Sequence, residues 1–245
     1  MDQQKGICNL SIIPVRKTPN DTSEMVTQLL LGDTFSIIEK RENWHAIKID
    51  ADGYEGWIDS KQYELENEIA SNKIILNSQK LYITENYGVL SMGSILNLKD
   101  KNFFFNGKNI TVEEKLNKQL NIKDVAMQYL NVPYLWGGKS IFGIDCSGFT
   151  QMVFKIMGIA LQRDANQQVE EGLLINFNQQ QQGDLAFFNN KEGKIIHVGI
   201  VLNENQIIHA SGKVRIDKLD TKGIFNNNTQ KYSHILFCIK RKNIS

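Results

Sequence analysis

Long apolar runs are missing from this 245-residue chain; none approaches the roughly 18 residues of a membrane-spanning helix. Cysteine is scarce as well. Cys8, Cys146 and Cys238 are an odd, scattered set without CxxC spacing, which argues against a disulfide framework and a cysteine zinc site. Charge of one sign is also absent: 28 Lys+Arg against 27 Asp+Glu leaves +1, so no long-range field draws the chain to nucleic acid or an anionic membrane. The seven residues before Cys8 hold no apolar stretch of the kind that precedes a lipoprotein cysteine, and a cytoplasmic location is expected. What remains is ordinary globular composition, 41% hydrophobic and 22% charged, enough to bury a core.

Residues 1–66 read as short strands with turns between them. Thr34–Glu39, Trp44–Ile49 and Tyr54–Ile58 alternate in polarity, and Asp52-Gly53 between the last two is a hairpin signal. Residues 67–114 continue that texture more weakly, in Lys73–Leu76, Lys80–Ile83 and Ser94–Leu98. The Thr-x-x-Glu spacing of Thr111–Glu114 predicts a helix start there and a domain boundary, with residues 115–245 as the last domain. Ile122, Val125, Ala126, Tyr129 and Leu130 then fall on one helical stripe that ends before Pro133. Phe149, Met152, Val153, Ile156 and Met157 predict a second helix starting at or just after Cys146. Strands are expected over Asp184–Phe188, Lys194–Leu202, Gln206–Ala210 and Ile235–Ile239, and Cys238 within the last reads as a core residue. Helices first and strands after them give an α+β domain.

A cysteine at a helix N-terminus meets unpaired amides and the positive end of the helix dipole, which favour the reactive thiolate. Such a nucleophile needs a base, and the chain has four histidines to search: His45, His197, His209 and His234. A three-residue turn at Asn203–Asn205 would set Leu202 opposite Gln206 and Gly199 opposite His209, placing His197 and His209 on one sheet face. A two-residue turn would put them on opposite faces. His45 and His234 fit less well and default to structural or solvated roles. Metal binding through His197 and His209 is a weaker alternative, because no third ligand has suitable spacing; no cofactor is expected.

The segments PYLWGG (Pro133–Gly138), DCSGF (Asp145–Phe149), GDLAF (Gly183–Phe187), HVGI (His197–Ile200) and IHAS (Ile208–Ser211) stand in the order and rough spacing of the NlpC-type cell-wall cysteine peptidases, which this part of the chain resembles. The glycines at 53 and 56 around Tyr54 and Trp57 resemble the last hairpin of a bacterial SH3-like domain. The resemblance implies two SH3-like β-barrel modules, 1–66 and 67–114, before a papain-like α+β catalytic domain. It implies Cys146 as nucleophile, His197 as base, His209 as the residue orienting it, and Tyr134 as a supporting hydroxyl. Relatives of this architecture look like dipeptidyl-peptidases of murein peptide recycling that cut after L-Ala-γ-D-Glu and need a free N-terminal L-Ala. Asp145, Asp164, Glu24 and Tyr54 would bind that ammonium, while Ala165 stands where many relatives have serine. The expected partner is a short murein peptide, with lysine or diaminopimelate in third place, and a monomer suffices. An exported endopeptidase of intact wall and a non-catalytic wall-binding protein are the alternatives.

Overall fold

The computed structural model describes residues 4–65, 72–77, 83–84, 88–98, 102–105, 108–111 and 120–242. They fall into two compact units, residues 1–119 with 136–142, and residues 120–135 with 143–245.

The first unit begins with a seven-stranded antiparallel sheet made from β1 (Lys5–Ile7), β2 (Ile12–Arg16), β3 (Met25–Leu30), β4 (Thr34–Arg41), β5 (Trp44–Ile49), β6 (Glu55–Asp59) and β7 (Glu64–Leu65), in the order β3-β2-β6-β5-β4-β1-β7. Its inward positions, including Ile13, Val15, Leu29, Phe35, Ile47, Ile49 and Ile58, form one apolar core. Gly53 takes φ +71°, which the tight turn between β5 and β6 requires of a residue free to enter the left-handed region. Shorter pieces follow: β8 (Asn72–Ile75), β9 (Ile83–Thr84), β10 (Gly88–Val89), β11 (Ile95–Leu98), β12 (Asn102–Phe105) and β13 (Lys108–Thr111). They pair as three separate ladders, β8 with β11, β9 with β10, and β12 with β13. Part of the expected second module, including Lys80–Tyr82, lies outside the described residues.

Thr111 ends strand β13. The first described helix, α1 (Ile122–Gln128), is capped by Asn121, whose side chain accepts from the Asp124 amide at 3.0 Å. Residues 112–119, where the predicted charged helix would run, lie outside the described residues.

After β14 (Lys139–Ser140) and β15 (Gly143–Ile144) come α2 (Cys146–Ile156) and α3 (Ala165–Gln168). A second seven-stranded sheet follows: β16 (Leu173–Ile175), β17 (Leu185–Asn189), β18 (Ile195–Asn203), β19 (Gln206–Ser211), β20 (Lys213–Asp220), β21 (Gly223–Asn226) and β22 (Lys231–Arg241), in the order β16-β22-β17-β18-β19-β20-β21. The described chain is thus mostly β, with a few helices. Every residue of α2 from Cys146 to Phe154 is buried, so the apolar stripe understates how enclosed this helix is. Two of its polar side chains hydrogen-bond outside the helix: Thr150 donates to Gln168 at 2.7 Å, and Gln151 Nε2 donates to the Leu161 carbonyl at 3.0 Å. Cys238 is half-buried rather than in the core, on a strand whose flanking Phe237 is exposed. Among the described residues, no helix is long and apolar enough to cross a membrane.

Candidate active site

The β18–β19 hairpin has the two-residue turn that should have separated the histidines: Asn203 pairs with Gln206. A bulge at Leu202 corrects it. Beyond the bulge Val201 faces Ile207 and Ile200 faces Ile208, which brings Gly199 opposite His209, as the longer turn would have done. Gly199 is needed there, because a Cβ at that position would lie 2.8 Å from His209 Cβ. With the face restored, His197 Nε2 lies 2.8 Å from His209 Nδ1, and both rings are buried. The chain of contacts goes one step further: His209 Nε2 lies 3.0 Å from Asp217 Oδ2, and Arg215 holds that carboxylate, with one guanidinium nitrogen donating to Oδ1 at 2.8 Å.

Asp217 was not found in the sequence, although the same register argument would have reached it. Gly212, at φ +70°, makes a tight β19–β20 turn, Arg215 pairs with His209, and Asp217 stands two residues further on the same face.

Cys146 opens α2 as expected. Asp145 is its N-cap, accepting from the Gly148 amide at 2.6 Å. The backbone amides of Val198 and Ser147 hydrogen-bond to Cys146 Sγ, which ties the cysteine to the residue beside His197. Asp145 also has a partner that the sequence reading did not give it. Arg163, 1% exposed, donates to both of its oxygens at 3.1 and 2.6 Å and to Ser147 Oγ at 3.0 Å. Asp164 caps α3 in a capping box with Gln167. Tyr134 is half-buried, and its amide donates to the Gly212 carbonyl at 3.0 Å, anchoring it to the β19–β20 turn. Asp184 serves the fold: it takes two charge-assisted hydrogen bonds from Arg241, at 2.7 and 2.8 Å, and pins the end of β22 to the start of β17.

In the first unit Tyr54 packs on the barrel core, and Glu24 accepts from the Trp136 indole at 2.8 Å while pairing with Lys17 at 3.2 Å. Trp136 belongs to the PYLWGG segment, and residues 136–142 join this unit. His45 bonds the Tyr63 hydroxyl at 2.6 Å and has a structural setting.

Residues 131–233 match the NlpC/P60 family, and residues 15–62 match the bacterial dipeptidyl-peptidase SH3 domain. The chain carries an NlpC/P60 domain behind a bacterial SH3 domain. It is 26% identical over 246 residues to the gamma-D-glutamyl-L-lysine dipeptidyl-peptidase of Bacillus cereus, covering 83% of this chain and 73% of that one. It is 29% identical over 245 residues to dipeptidyl-peptidase 6 of Lysinibacillus sphaericus, covering 82% and 87%. A crystal structure of an NlpC/P60 family protein from Bacillus cereus shares the fold, with a TM-score of 0.78 at 20% identity over 97% of this chain and 99% of that one.

Protons in the NlpC/P60 domain follow from the acceptor at the end of the chain. Burial pushes Asp217 up, but the hydrogen bonds from His209 and Arg215 outweigh it and hold the carboxyl below its ordinary value. An ionised carboxylate only accepts, so His209 Nε2 carries a proton. Burial keeps His209 neutral, against the pull of Asp217, so its Nδ1 is the acceptor and His197 Nε2 donates to it. His197 is held well below the ordinary histidine range by burial, then by His209 and His234, so its Nδ1 keeps a lone pair.

Cys146 departs from the expected resting thiolate. Burial and the Asp145 charge push its thiol up to about 12, overriding the helix N-terminus, the two amides and Arg163. At neutral pH the Cys146 thiol and the His197 imidazole are therefore both neutral. Burial, then the charges of Cys146 and Asp145, raise the Tyr134 phenol to about 12, which leaves its hydroxyl a donor.

The structure also supplies the third histidine that the metal alternative lacked. A ring nitrogen from each of His197, His209 and His234 lies within 4.8 Å of the other two. Geometry still favours a proton chain over an ion. His197 and His234 are stacked at 19°, so their in-plane lone pairs run side by side, and His209 spends both nitrogens on His197 and Asp217.

Proposed function

We propose that this chain is a cysteine peptidase that cleaves the γ-D-Glu–diamino-acid bond of short murein peptides carrying a free N-terminal L-Ala. One observation carries the chemistry: the Asp217–His209–His197 chain fixes His197 with an unprotonated Nδ1, on the strand whose Val198 amide holds Cys146 Sγ. As Sγ attacks the γ-carbonyl carbon, its proton passes to His197 Nδ1, and the C=O electron pair moves onto oxygen. In this reading the Cys146 amide and the Tyr134 hydroxyl stabilise that oxyanion. Collapse expels the diamino acid's amine, which takes the proton back from His197. Water, deprotonated by the same nitrogen, then hydrolyses the thioester.

The named relatives support lysine in third place. The ammonium of L-Ala calls for anionic partners. Asp145 alone is a poor reader of that charge, since Arg163 already neutralises it, and Asp164, Glu24 and Tyr54 complete the proposal. The stretch 67–114 as a second SH3-like module, the papain-like description of the last domain, a recycling role in the cytoplasm and a monomer belong to the same reading.

The test is steady-state cleavage of L-Ala-γ-D-Glu-L-Lys. Cys146→Ala should lower kcat by at least about a thousandfold without changing the fold. N-acetylation of the substrate should block turnover. Full activity of Cys146→Ala ends the proposal, and equal cleavage of both peptides or release from whole sacculi makes the enzyme an endopeptidase.

A further inference from the structure

His234 has no part in the proton chain, yet its ring makes a close contact with the base. Its centroid lies 4.0 Å from that of His197 with the planes 19° apart. The contact follows from the closure of the sheet and one irregularity in it. Strand β22 pairs with β17 on one side and with β21 on the other, so the strands curl round on themselves; His197 stands opposite Phe188 of β17 and His234 opposite Ile224 of β21. On β22 a bulge falls between the pairs Ile224–His234 and Phe225–Tyr232, and re-aims the residues around Ser233. Phe188 closes the same cluster, 5.8 Å from His197 and 5.9 Å from His234, and His209 meets His234 edge-on at 6.0 Å.

A base works only when its lone pair points at the proton it takes. The hydrogen bond to His209 fixes His197 within its own plane, but a single in-plane bond leaves the ring free to tilt about the axis through that bond. A flat ring lying face to face removes this freedom. We infer that His234 is a positioning residue for the proposed reaction: its ring, stacked on His197, holds the base in the plane that aims Nδ1 at Cys146. What matters is the flat face, because the Nδ1 of His234 is taken by Ser233 Oγ at 2.9 Å and no proton of the reaction passes through the ring. Burial first, then His209, lowers His234 to about 4, so the ring is neutral at neutral pH and does not repel the imidazolium that forms on His197.

The inference rests on the proposed peptidase reading, and the experiment separates the two. His234→Ala, His234→Phe and His234→Leu are compared with wild type by kcat and KM on L-Ala-γ-D-Glu-L-Lys, by thermal unfolding, and by long-range 1H–15N NMR of His197, which is readily assigned among four histidines. His234→Ala should lose on the order of ten- to a hundredfold in kcat with KM nearly unchanged, the scale of a misplaced catalytic group. His234→Phe, which keeps the face, should recover kcat to within about threefold. His234→Leu, which fills space without a face, should behave as Ala does, and it replaces Ala if that variant fails to fold. In wild type and His234→Phe the His197 Nδ1 signal should be that of an unprotonated nitrogen, while Ala and Leu should show averaging between tautomers. Wild-type kcat in His234→Ala or His234→Leu, or His234→Phe as slow as either, overturns the inference. If wild type does not cleave the peptide, the peptidase reading fails, and the NMR comparison alone decides whether His234 orders the ring.

Discussion

The two seven-stranded sheets of this protein are built on opposite terms. The core of the N-terminal sheet is an apolar cluster from Ile13 and Val15 to Ile47, Ile49 and Ile58, and the polar side chains buried on its strands, Thr27, Gln28 and Ser36, are uncharged. Its buried Asp33 merely closes a turn by accepting from the Leu30 amide at 2.9 Å. The C-terminal sheet also has an apolar layer, with Phe188, Val201, Ile207 and Ile224, but beside it are buried His197, His209 and Asp217, and Asp145 with Arg163 at the start of α2. Buried charges and neutral histidines contribute little net stability compared with well-packed apolar groups, because desolvation offsets most of their attraction. Their presence in one sheet and near absence from the other marks where the molecule gives up stability for chemistry.

The largest break in that contrast comes from Asp217→Asn. The substitution keeps the shape but removes the charge that makes His209 Nε2 a donor, so the tautomer order along the chain is lost. We expect kcat to fall by about a hundredfold, equivalent to about 2.7 kcal/mol at 1.36 kcal/mol per tenfold, with KM little changed. Steady-state kinetics at pH 7, with thermal unfolding in parallel, checks this. A variant within threefold of wild type would show that the charge at the end of the chain is idle.

How far the sequence reached can be judged at individual residues. The strand containing His197 and the helix opened by Cys146 were legible because each depends on local periodicity. The shared histidine face was legible only conditionally. The turn proved to be the unfavourable one, and the correction came from a bulge at Leu202 that no residue preference announces. Arg163 and His234 were not legible. Each meets its partner through long-range packing, Arg163 reaching Asp145 across 18 residues and His234 of β22 stacking on His197 of β18 although β17 lies between those strands. The resting state of Cys146 was misread for a related reason, since a helix N-terminus can be seen in a sequence but the burial of the thiol cannot.

Acid should distinguish the sheets next. His197, His209 and His234 are all lowered by burial, so the folded state stays neutral where unfolded histidines begin to bind protons. Their stabilisation is therefore fully present above about pH 6.5 and is lost as pH falls toward the folded values, about 4 for His234. A loss on the order of 2 kcal/mol between pH 6.5 and 5 is expected for the C-terminal unit, allowing for the half-exposure of His234. Asp217 is shifted down, so its own contribution fades only below about pH 4. Calorimetric unfolding across this range checks the window; a flat profile would mean that the histidines are not held neutral.

The smallest effect is the control that gives the others meaning. Ile47 is fully buried in the N-terminal core, and Ile47→Val removes one methylene, at a cost of about 1 kcal/mol. Nothing titratable is involved, so that cost should be the same at pH 7 and pH 5, and kcat should stay at its wild-type value. The molecule provides its own reporter for this. Its three tryptophans, Trp44, Trp57 and Trp136, all lie in the first unit, so tryptophan fluorescence in urea follows that unit alone. Activity and the histidine resonances follow the other. If the tryptophan midpoint shifts with Ile47→Val equally at both pH values while kcat holds, stability and chemistry are kept in separate sheets. A loss of kcat would instead show that the apolar core also sets the geometry of the catalytic chain.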